Sequence, residues 1–371
     1  MPNERPAPQR EDDRAYMRRA LDLARRGWGH AAPNPMVGAV VVRDGQIVGE
    51  GHHARYGEEH AEIAALRQAG ENARGATLYI TLEPCGHHGQ TPPCADAIIA
   101  AGIARVVAAT EDVNPQAAGG ATRLRDAGIP LDIGIERQAA RELNAAFFHR
   151  FASDRPFITL KVATSLDGAI ANAERTRGTP GGWLTGSAAR QEVHRMRAGV
   201  DAIAVGVGTV LVDDPMLTVR DAPPPRVPPR RIIFDSEYRT PLGAAVVRGA
   251  RIVPTTIVAR HDNPARRELF ETAGVDVRIH ETLQSALIAF ARDGVHSLLV
   301  EGGARLAASL IEQGLLDRLV IFQAPVVLGS GALNAFAHVS PTTAERLARL
   351  PVIERIAFGD DLKTTYALGA R

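Results

Sequence analysis

The chain has 371 residues, 45% of them hydrophobic and 23% charged, which is a globular composition and a length sufficient for two domains. A formal charge of +1 and an aromatic content of 5% argue against an extended nucleic-acid interface, so we expect no nucleic-acid partner. No apolar run reaches the length of a membrane span, and the first residues are too polar for a signal peptide, which predicts a cytoplasmic protein with no membrane partner.

The first part of the chain alternates between helical and strand patterns. Helices are predicted where apolar residues recur every three or four positions, and strands where apolar residues run together or flank a turn such as Asp44-Gly45. The predicted helices cover residues 13–27, 60–70 and 93–102, and the predicted strands cover residues 36–43, 46–51, 76–84 and 103–110. Helices that alternate with strands in this way predict an α/β layered sheet.

A second α/β part follows a helical pattern over residues 137–154. Its predicted strands cover residues 155–171, 201–211, 230–236, 251–259, 275–280, 297–303 and 317–329, and its predicted helices cover residues 186–199, 282–294 and 303–314. The Pro-rich stretch 221–230 is interpreted as a surface loop or hinge within this part. We therefore predict two domains, residues 12–150 and residues 151–371.

The only two cysteines of the chain, Cys85 and Cys94, lie close together after a buried strand and at the start of a helix. A His-Ala-Glu triplet, with His60 at a predicted helix start, precedes them. Zinc prefers thiolate and imidazole ligands, and a catalytic zinc keeps three protein ligands and one open position. His60, Cys85 and Cys94 are therefore the predicted ligands of one zinc per chain, and Glu62 is the predicted proton shuttle, as in the H-x-E, P-C signature of zinc deaminases. Eight residues separate the two cysteines, where that general signature has two.

Other interpretations of this stretch remain. His87 and His88, which lie between the cysteines, are rival ligands, although second-shell or exposed positions fit them better. Each motif alone also fits an ordinary helix start or a small buried cysteine. A zinc-stabilised scaffold without catalysis is disfavoured because structural sites close with four ligands.

Three stretches, "NPMVGAVVV", "GHHARYGEEHAE" and "LEPCGHHGQTPPCADAIIAAG", closely resemble the bifunctional deaminase/reductase family of riboflavin biosynthesis. The resemblance implies a cytidine-deaminase-like three-layer α/β/α domain at the N-terminus. It also implies removal of an exocyclic amine from 2,5-diamino-6-(5-phosphoribosylamino)pyrimidin-4(3H)-one, with Asn34 and His53 binding that substrate. Gln90 departs from the family pattern, which more often has Arg there, and this puts one polar contact near the site in doubt.

The second part resembles the reductase half of the same family in four stretches, "KVATSLDGAIA", "WLTGSAAR", "GVGTVLVDDPMLTVR" and "VEGGARLAASL". This implies a dihydrofolate-reductase-like α/β fold in which NADPH reduces the ribosyl group of 5-amino-6-(5-phosphoribosylamino)uracil to ribityl. By resemblance, the cofactor is lined by Ala163, Ile170, Trp183, Thr209, Asp213, Ser236 and Gly303. The substrate is lined by Gly181, Arg197, Leu217, Arg220 and Glu301. The two arginines suit a phosphate because the guanidinium offers it a planar pair of donors.

The sequence leaves several points open. Lys161 and Asp167 fit either a chemical or a structural role, and the preference for NADPH over NADH depends on the resemblance alone. A homo-oligomer is one alternative for the oligomeric state. The rival functions are a deaminase of another pyrimidine with a different reductase half, and a nucleic-acid-editing deaminase, which the charge and the few aromatic residues disfavour.

Overall fold

A computed structural model describes residues 7–87, 92–172, 183–347 and 349–368. The chain divides into two compact units, Met1–Ala152 and Ser153–Arg371. Among the described residues, no helix has both the length and the apolar character needed to span a bilayer.

The first unit contains five strands and six helices among its described residues. In chain order they are α1 (Ala7–Ala24), β1 (Gly38–Arg43), β2 (Gln46–His52), α2 (Ala61–Ala69), β3 (Thr77–Ile80), α3 (Cys94–Ala100), β4 (Arg105–Ala108), α4 (Gly120–Asp126), β5 (Leu131–Ile133), α5 (Arg137–Leu143) and α6 (Ala145–Arg150). The strand order is β2-β1-β3-β4-β5, with β2, β1 and β3 antiparallel and β3, β4 and β5 parallel. The predicted turn between β1 and β2 forms because Asp44 and Gly45 both adopt positive φ, 51° and 76°.

Helices cover both faces of this sheet. Met17 and Leu21 of α1 pack with Ala140 of α5 against one set of alternating strand residues. Helices α2, α3 and α4 pack against the other set, through residues that include Ala65 and Ile98. The result is the predicted three-layer α/β/α arrangement.

Two glycines of β2 bring α2 unusually close to the sheet. A Cβ atom at Gly51 would lie 2.3 Å from the Ala61 carbonyl oxygen, and one at Gly49 would lie 2.3 Å from that of Ala65. Only glycine allows this approach. The close approach holds α2 against β2. The predicted zinc ligand His60 directly precedes α2, and the predicted proton shuttle Glu62 lies in its first turn.

The helix predicted over residues 137–154 is interrupted at Asn144, so the prediction of one helix was wrong. The side chain of Asn144 accepts a hydrogen bond from the Met36 N–H at 2.8 Å and donates one to the Met36 carbonyl at 2.9 Å. This buried amide satisfies both backbone groups of Met36. The helix break thereby fixes the loop that carries Asn34.

The second unit has eleven strands and seven helices in its described part. They are β6 (Phe157–Thr164), β7 (Ala169–Ala171), α7 (Ser187–Ala198), β8 (Ala202–Gly206), α8 (Val207–Asp213), β9 (Arg230–Phe234), α9 (Ala245–Arg248), β10 (Thr255–Ala259), α10 (Pro264–Thr272), β11 (Asp276–Ile279), α11 (Leu283–Arg292), β12 (Ser297–Val300), α12 (Ala304–Glu312), β13 (Arg318–Gln323), β14 (Leu333–Asn334), α13 (Pro341–Arg346), β15 (Val352–Phe358) and β16 (Asp361–Ala367).

Nine of these strands form one sheet in the order β11-β10-β9-β8-β12-β6-β13-β16-β15. The strands from β11 to β13 are parallel, and the last two pair antiparallel. Helices α11 and α12 pack on one face, and α7, α8, α9 and α10 pack on the other. Because neighbouring strands are parallel, the loops that follow β6, β8, β9 and β12 emerge at one edge of the sheet.

The strand predicted over residues 201–211 is only partly correct. Strand β8 ends at Gly206, and helix α8 begins at Val207. Val207 and Val210 are buried on the helix, so the β-branched residues that indicated a strand instead form the apolar face of a short helix. This places Thr209 at the carboxyl edge of the sheet. The terminal hairpin of β15 and β16 was not predicted.

Candidate functional site

The three predicted zinc ligands come from three elements that end at the same place. His60 is the residue before α2, Cys85 follows β3, and Cys94 is the first residue of α3. Both helices begin with free backbone N–H groups, and the Cys94 N–H points to the Cys85 sulfur at 3.4 Å. Such donors favour the thiolate form that a metal requires.

The geometry of these three side chains suits a metal ion. His60 Nδ1 lies 3.1 Å from Cys94 Sγ and 3.7 Å from Cys85 Sγ. The three candidate ligand atoms all lie within 4.8 Å of one another. Tetrahedral ligands about 2.0–2.3 Å from zinc are separated by roughly 3.5 Å. One imidazole and two thiolates are also the donor types that zinc prefers, so the residues fit the ion.

The two cysteines shift each other's pKa in opposite directions. The hydrogen bond from the Cys94 thiol lowers the pKa of Cys85 to about 4, while the same contact raises the pKa of Cys94. One thiolate is thus favoured at neutral pH by contacts within the site.

Glu62 lies in the first turn of α2 and is only 4% exposed. Burial raises the pKa of Glu62 to about 7, although the charge of His60 acts in the opposite direction. A carboxyl group whose pKa lies near neutrality can both accept and return a proton during one reaction cycle. Its position, two residues after His60, places that group beside the candidate metal ligands.

Asn34 and His53 form a pair next to this cluster. The Asn34 side-chain nitrogen lies 3.2 Å from His53 Nε2, and His53 Nδ1 lies 3.1 Å from the Glu59 carbonyl oxygen. The His53 and His60 rings meet edge to face, with centroids 5.6 Å apart. Burial lowers the pKa of His53, which favours the neutral ring and keeps it available as a hydrogen-bonding group.

A cavity of about 710 Å³ connects these residues. It is large enough for a nucleotide-sized molecule. Its wall contains Asn34, His53, His60, Glu62 and Cys85. These residues, predicted from separate stretches of the sequence, lie around one cavity.

The cavity wall also contains residues that sequence reasoning missed. They include Tyr56, Asp112, Asn114, Phe147 and Arg150. Burial raises the pKa of Asp112 to about 6. Arg150 could have been found only by knowing that α6 ends beside the cavity, because an exposed arginine at a helix end carries no distinctive pattern.

The rival ligands do not join the metal-like cluster in the part of the chain that is described. His87 lines the cavity, but the cluster consists of His60, Cys85 and Cys94. His88 and Gln90 lie outside the described residues.

In the second unit, the predicted cofactor residues lie mostly at the carboxyl edge of the parallel strands. Ala163 is near the end of β6, Thr209 is in the first turn of α8, Ser236 follows β9, and Gly303 precedes α12. A Cβ atom built on Gly303 would lie 3.9 Å from Thr209 Oγ1, so β8 and β12 bring these two residues together.

The N-termini of α8 and α12 are well suited to an anionic cofactor. Gly206 and Gly303 are the capping residues, and neither can supply a side-chain cap. The free N–H groups of two neighbouring helices therefore point toward the same edge of the sheet, where a pyrophosphate can bind them. The free N–H groups at the starts of α8 and α12 therefore fit the pyrophosphate of a dinucleotide cofactor.

Two predicted substrate residues form a buried ion pair. Arg197 Nε lies 2.6 Å from Glu301 Oε1, and Arg197 Nη2 lies 3.0 Å from Glu301 Oε2. Arg197 also donates to the Thr218 carbonyl at 2.9 Å. Burial opposes the charged form of Glu301, but Arg197 and then Lys161 lower its pKa. Glu301 is therefore an ionised carboxylate.

The other predicted residues of this unit are more scattered. Leu217 is buried, and Arg220 is exposed with its backbone N–H bound to His194. Trp183 is 70% exposed, and the Arg190 guanidinium lies 5.6 Å from its ring centroid. Ile170 lies in β7 and Asp213 ends α8. Gly181 lies outside the described residues.

The two residues left open by the sequence have different surroundings. Asp167 accepts hydrogen bonds from the backbone N–H groups of Leu328 and Gly329 at 3.2 and 2.8 Å, which supports a structural role. Lys161 lies in β6, and burial lowers its pKa while Glu301 raises it. Lys161 thus belongs to the charged group around Glu301.

Comparisons with known proteins cover both units. Residues 10–110 match the family described as the cytidine and deoxycytidylate deaminase zinc-binding region, and residues 156–360 match the RibD C-terminal domain. The riboflavin biosynthesis protein RibD of Aquifex aeolicus is 46% identical over 325 residues, 87% of this chain and 89% of that protein. The chain belongs to the RibD family. The Escherichia coli relative is 42% identical over 369 residues, covering 95% of each chain.

Solved structures of RibD proteins agree with this assignment. Acinetobacter baumannii RibD has a TM-score of 0.82 at 37% identity, covering 96% of this chain and 99% of that one. A diaminohydroxyphosphoribosylaminopyrimidine deaminase/5-amino-6-(5-phosphoribosylamino)uracil reductase from Thermotoga maritima has a TM-score of 0.80 at 32% identity, covering 97% and 99%. The family resemblance and the two-part fold predicted from the sequence are confirmed. The protein is a bifunctional deaminase and reductase of riboflavin biosynthesis.

Proposed function

We propose that the two units catalyse successive steps on one phosphoribosyl pyrimidine. Residues 12–150 remove the amine of 2,5-diamino-6-(5-phosphoribosylamino)pyrimidin-4(3H)-one, and residues 151–371 reduce the ribosyl group of 5-amino-6-(5-phosphoribosylamino)uracil. The observation that carries this proposal is the convergence of His60, Cys85 and Cys94 beside buried Glu62 in a cavity. The similar Thermotoga maritima protein, named for both activities, supports the choice of substrates.

In the deaminase, His60, Cys85 and Cys94 would hold zinc, which would supply a water of lowered pKa as the nucleophile. Glu62 would accept a proton from that water and deliver it to the departing amine, so that the ring gains an oxygen and ammonia leaves. The buried position of Glu62 raises the pKa of its carboxyl group, which favours the uptake of a proton. Asn34 and His53 orient the pyrimidine from the same side of the cavity.

The phosphate group of the substrate requires a cationic side chain in the deaminase cavity, away from the zinc ligands. Arg150 is the one arginine or lysine among the described residues that line it. Its guanidinium lies 5.5 Å from the Phe151 ring centroid, and this contact helps to orient it. We therefore assign the phosphate to Arg150, since a guanidinium binds phosphate through two parallel hydrogen bonds.

In the reductase, bound NADPH would supply the hydride that reduces C1 of the ring-opened ribosyl group, with a proton taken up from solvent. Thr209 and Gly303, with the N-termini of α8 and α12, would hold its phosphates. Ala163, Ile170, Trp183, Asp213 and Ser236 complete the proposed cofactor site. Gly181, Arg197, Leu217, Arg220 and Glu301 form the proposed substrate site. The ion pair of Arg197 with Glu301 keeps the latter ionised and fixed toward the sugar.

The decisive experiment supplies the diaminopyrimidinone ribotide to the purified protein with and without NADPH. We expect ammonia and the deaminated ribotide without NADPH, and a product with two further hydrogens when NADPH is present. Release of ammonia from an unphosphorylated pyrimidine instead would contradict the proposed substrate. NADH in place of NADPH tests the cofactor preference.

We further propose that the enzyme acts in the cytoplasm on a small molecule, without a nucleic-acid partner. A homo-oligomer is the form to be tested by light scattering of the full chain. A monomer that performs both reactions would show that assembly is not needed for either activity.

A further inference from the structure

The loop of residues 214–221 has an unusual backbone. Asp214, Leu217 and Asp221 have positive φ values of 42°, 50° and 52°. Asp tolerates this conformation, but it is strained for leucine because Cβ approaches the following carbonyl oxygen. Leu217 is nonetheless buried in the core that α8, α9 and α10 share with the sheet. Contacts from elsewhere must therefore hold the loop in place.

Three side chains hold this loop, which we call the 214–221 loop. Arg231 of β9 donates to the Met216 carbonyl at 3.1 Å, and Arg197 of α7 donates to the Thr218 carbonyl at 2.9 Å. The third contact is made by His194, one turn before Arg197, whose Nδ1 receives the Arg220 backbone N–H at 3.1 Å. The loop is thus fixed at intervals of two residues.

The contact with Arg220 defines the chemical state of His194. A backbone N–H can only donate, so Nδ1 must be the acceptor and carry no proton. His194 is therefore neutral, with its proton on Nε2. The side chain is buried, so the ring has little freedom to replace this contact with one to water.

We propose that His194 is a positioning residue of the reductase, which fixes the backbone of Arg220 so that its guanidinium faces the phosphate of the substrate. The inference rests on the proposed reductase function. Arg220 is exposed, and its side chain also donates to Thr218 Oγ1 at 3.3 Å, within the same loop. Without the hydrogen bond to His194, the 214–221 loop would no longer be fixed at Arg220, the residue proposed to bind the substrate phosphate.

The same contact makes substrate binding sensitive to pH. Four charged groups act on His194: Arg197 and Arg220 lower its pKa, and Glu301 and Asp221 raise it. Burial, followed by Arg197 and then Arg220, lowers the pKa of His194 below its usual value. When pH falls through that lowered pKa, Nδ1 gains a proton and can no longer accept the Arg220 N–H. The contribution of His194 is therefore present at neutral pH and lost in acid.

The test compares His194→Leu with His194→Asn in the full chain. Leucine removes the acceptor, while the side-chain oxygen of asparagine can replace Nδ1 and does not titrate. With supplied deaminated ribotide, we expect His194→Leu to raise KM for the ribotide about tenfold, the effect of leaving one buried N–H unpaired. His194→Asn should restore KM to within about threefold of the original. The Kd of NADPH and kcat should change little in both.

A pH series separates positioning from a merely structural effect. The substrate phosphate titrates in the same range, so the useful quantity is the ratio of KM values for the original protein and His194→Asn at each pH. This ratio should rise below pH 6.5 and stay flat above it.

Two outcomes would overturn the inference: a KM for His194→Leu equal to that of the original protein, or a KM for His194→Asn no better than that of His194→Leu. If His194→Leu does not fold, a flat KM ratio between the original protein and His194→Asn across pH would also overturn it. Failure of the original protein to reduce the ribotide would instead contradict the proposed function. Ammonia release by the same samples reports whether the deaminase unit remains folded.

Discussion

Two buried glutamates, one in each unit, show how surroundings decide the state of the same side chain. Glu62 lies beside His60 and Cys85, whose charges act on its pKa in opposite directions, and burial raises that pKa to about 7. Glu301 is also buried, but Arg197 and Lys161 lie beside it and lower its pKa. The first carboxyl group can exchange a proton at neutral pH, whereas the second remains a fixed charge.

This difference matches the chemistry proposed for each unit. Hydrolytic deamination moves protons, so its glutamate must titrate. Hydride transfer from a nicotinamide needs a held and oriented substrate, so a permanent charge is more useful there. Variants that affect one unit and spare the other test this contrast.

The largest effect should come from removing a zinc ligand in the first unit. Cys85→Ser replaces a thiolate by a hydroxyl, which is a much poorer zinc ligand. The variant should lose its zinc, and the rate of deamination should fall by at least about a thousandfold. Elemental analysis and ammonia release measure the two losses. Reduction of supplied deaminated ribotide should continue at its original rate.

His87→Asn is the matched control for that prediction. His87 lies in the same cavity, but the ligand cluster does not include it. Zinc content should stay at one per chain in this variant. A loss of zinc from His87→Asn, with retention in Cys85→Ser, would show that the ligand assignment is wrong.

The next effect concerns the titrating carboxyl group itself. Glu62→Gln keeps the shape of the side chain but cannot accept a proton, so deamination should fall by about 10²–10⁴-fold. Zinc content, thermal stability and reduction of supplied intermediate should remain unchanged. Glu58→Gln, an exposed residue of the same cavity wall, is the control and should retain activity. Rapid ammonia release by Glu62→Gln would remove this residue from the mechanism.

A smaller effect is expected at the proposed phosphate contact of the deaminase. Arg150→Gln should raise KM for the ribotide roughly tenfold to a hundredfold, because a charge-assisted hydrogen bond contributes about 1.5–3 kcal/mol. The unphosphorylated riboside should be affected much less. Arg141→Gln is the control, since Arg141 packs on Phe148 and is not part of the described cavity wall. Equal effects of Arg150→Gln on both compounds would argue against a phosphate contact.

The smallest effect should come from the cofactor edge of the second unit. Gly303→Val fills the space between the start of α12 and Thr209, so the Kd of NADPH should rise several-fold to about tenfold. Nucleotide fluorescence measures this Kd. Gly243→Val, where an added Cβ meets no atom within 4 Å, should bind NADPH as before. Deamination should be unaffected by either change, and its loss in Gly303→Val would contradict independent sites.

The zinc cluster could be predicted from the sequence because its residue types are chemically distinctive and close in the chain. His60 and Cys94 are separated by one helix and one strand, α2 and β3, and helix start patterns mark both residues. The helix break at Asn144 and the end of β8 at Gly206 could not be predicted in this way. In each case, contacts with distant residues overrode the local pattern.

By itself, the sequence determined the α/β class, the two-part organisation of motifs, the zinc ligands to test and the candidate proton shuttle. Tertiary structure decided which groups share a cavity and what charge each buried group carries. Three features depend on residues that are far apart in the chain: the position of Arg150 in the cavity wall, the Arg197–Glu301 ion pair and the neutral state of His194. Their properties arise from burial and from the charges that folding places beside them, and a linear pattern contains neither.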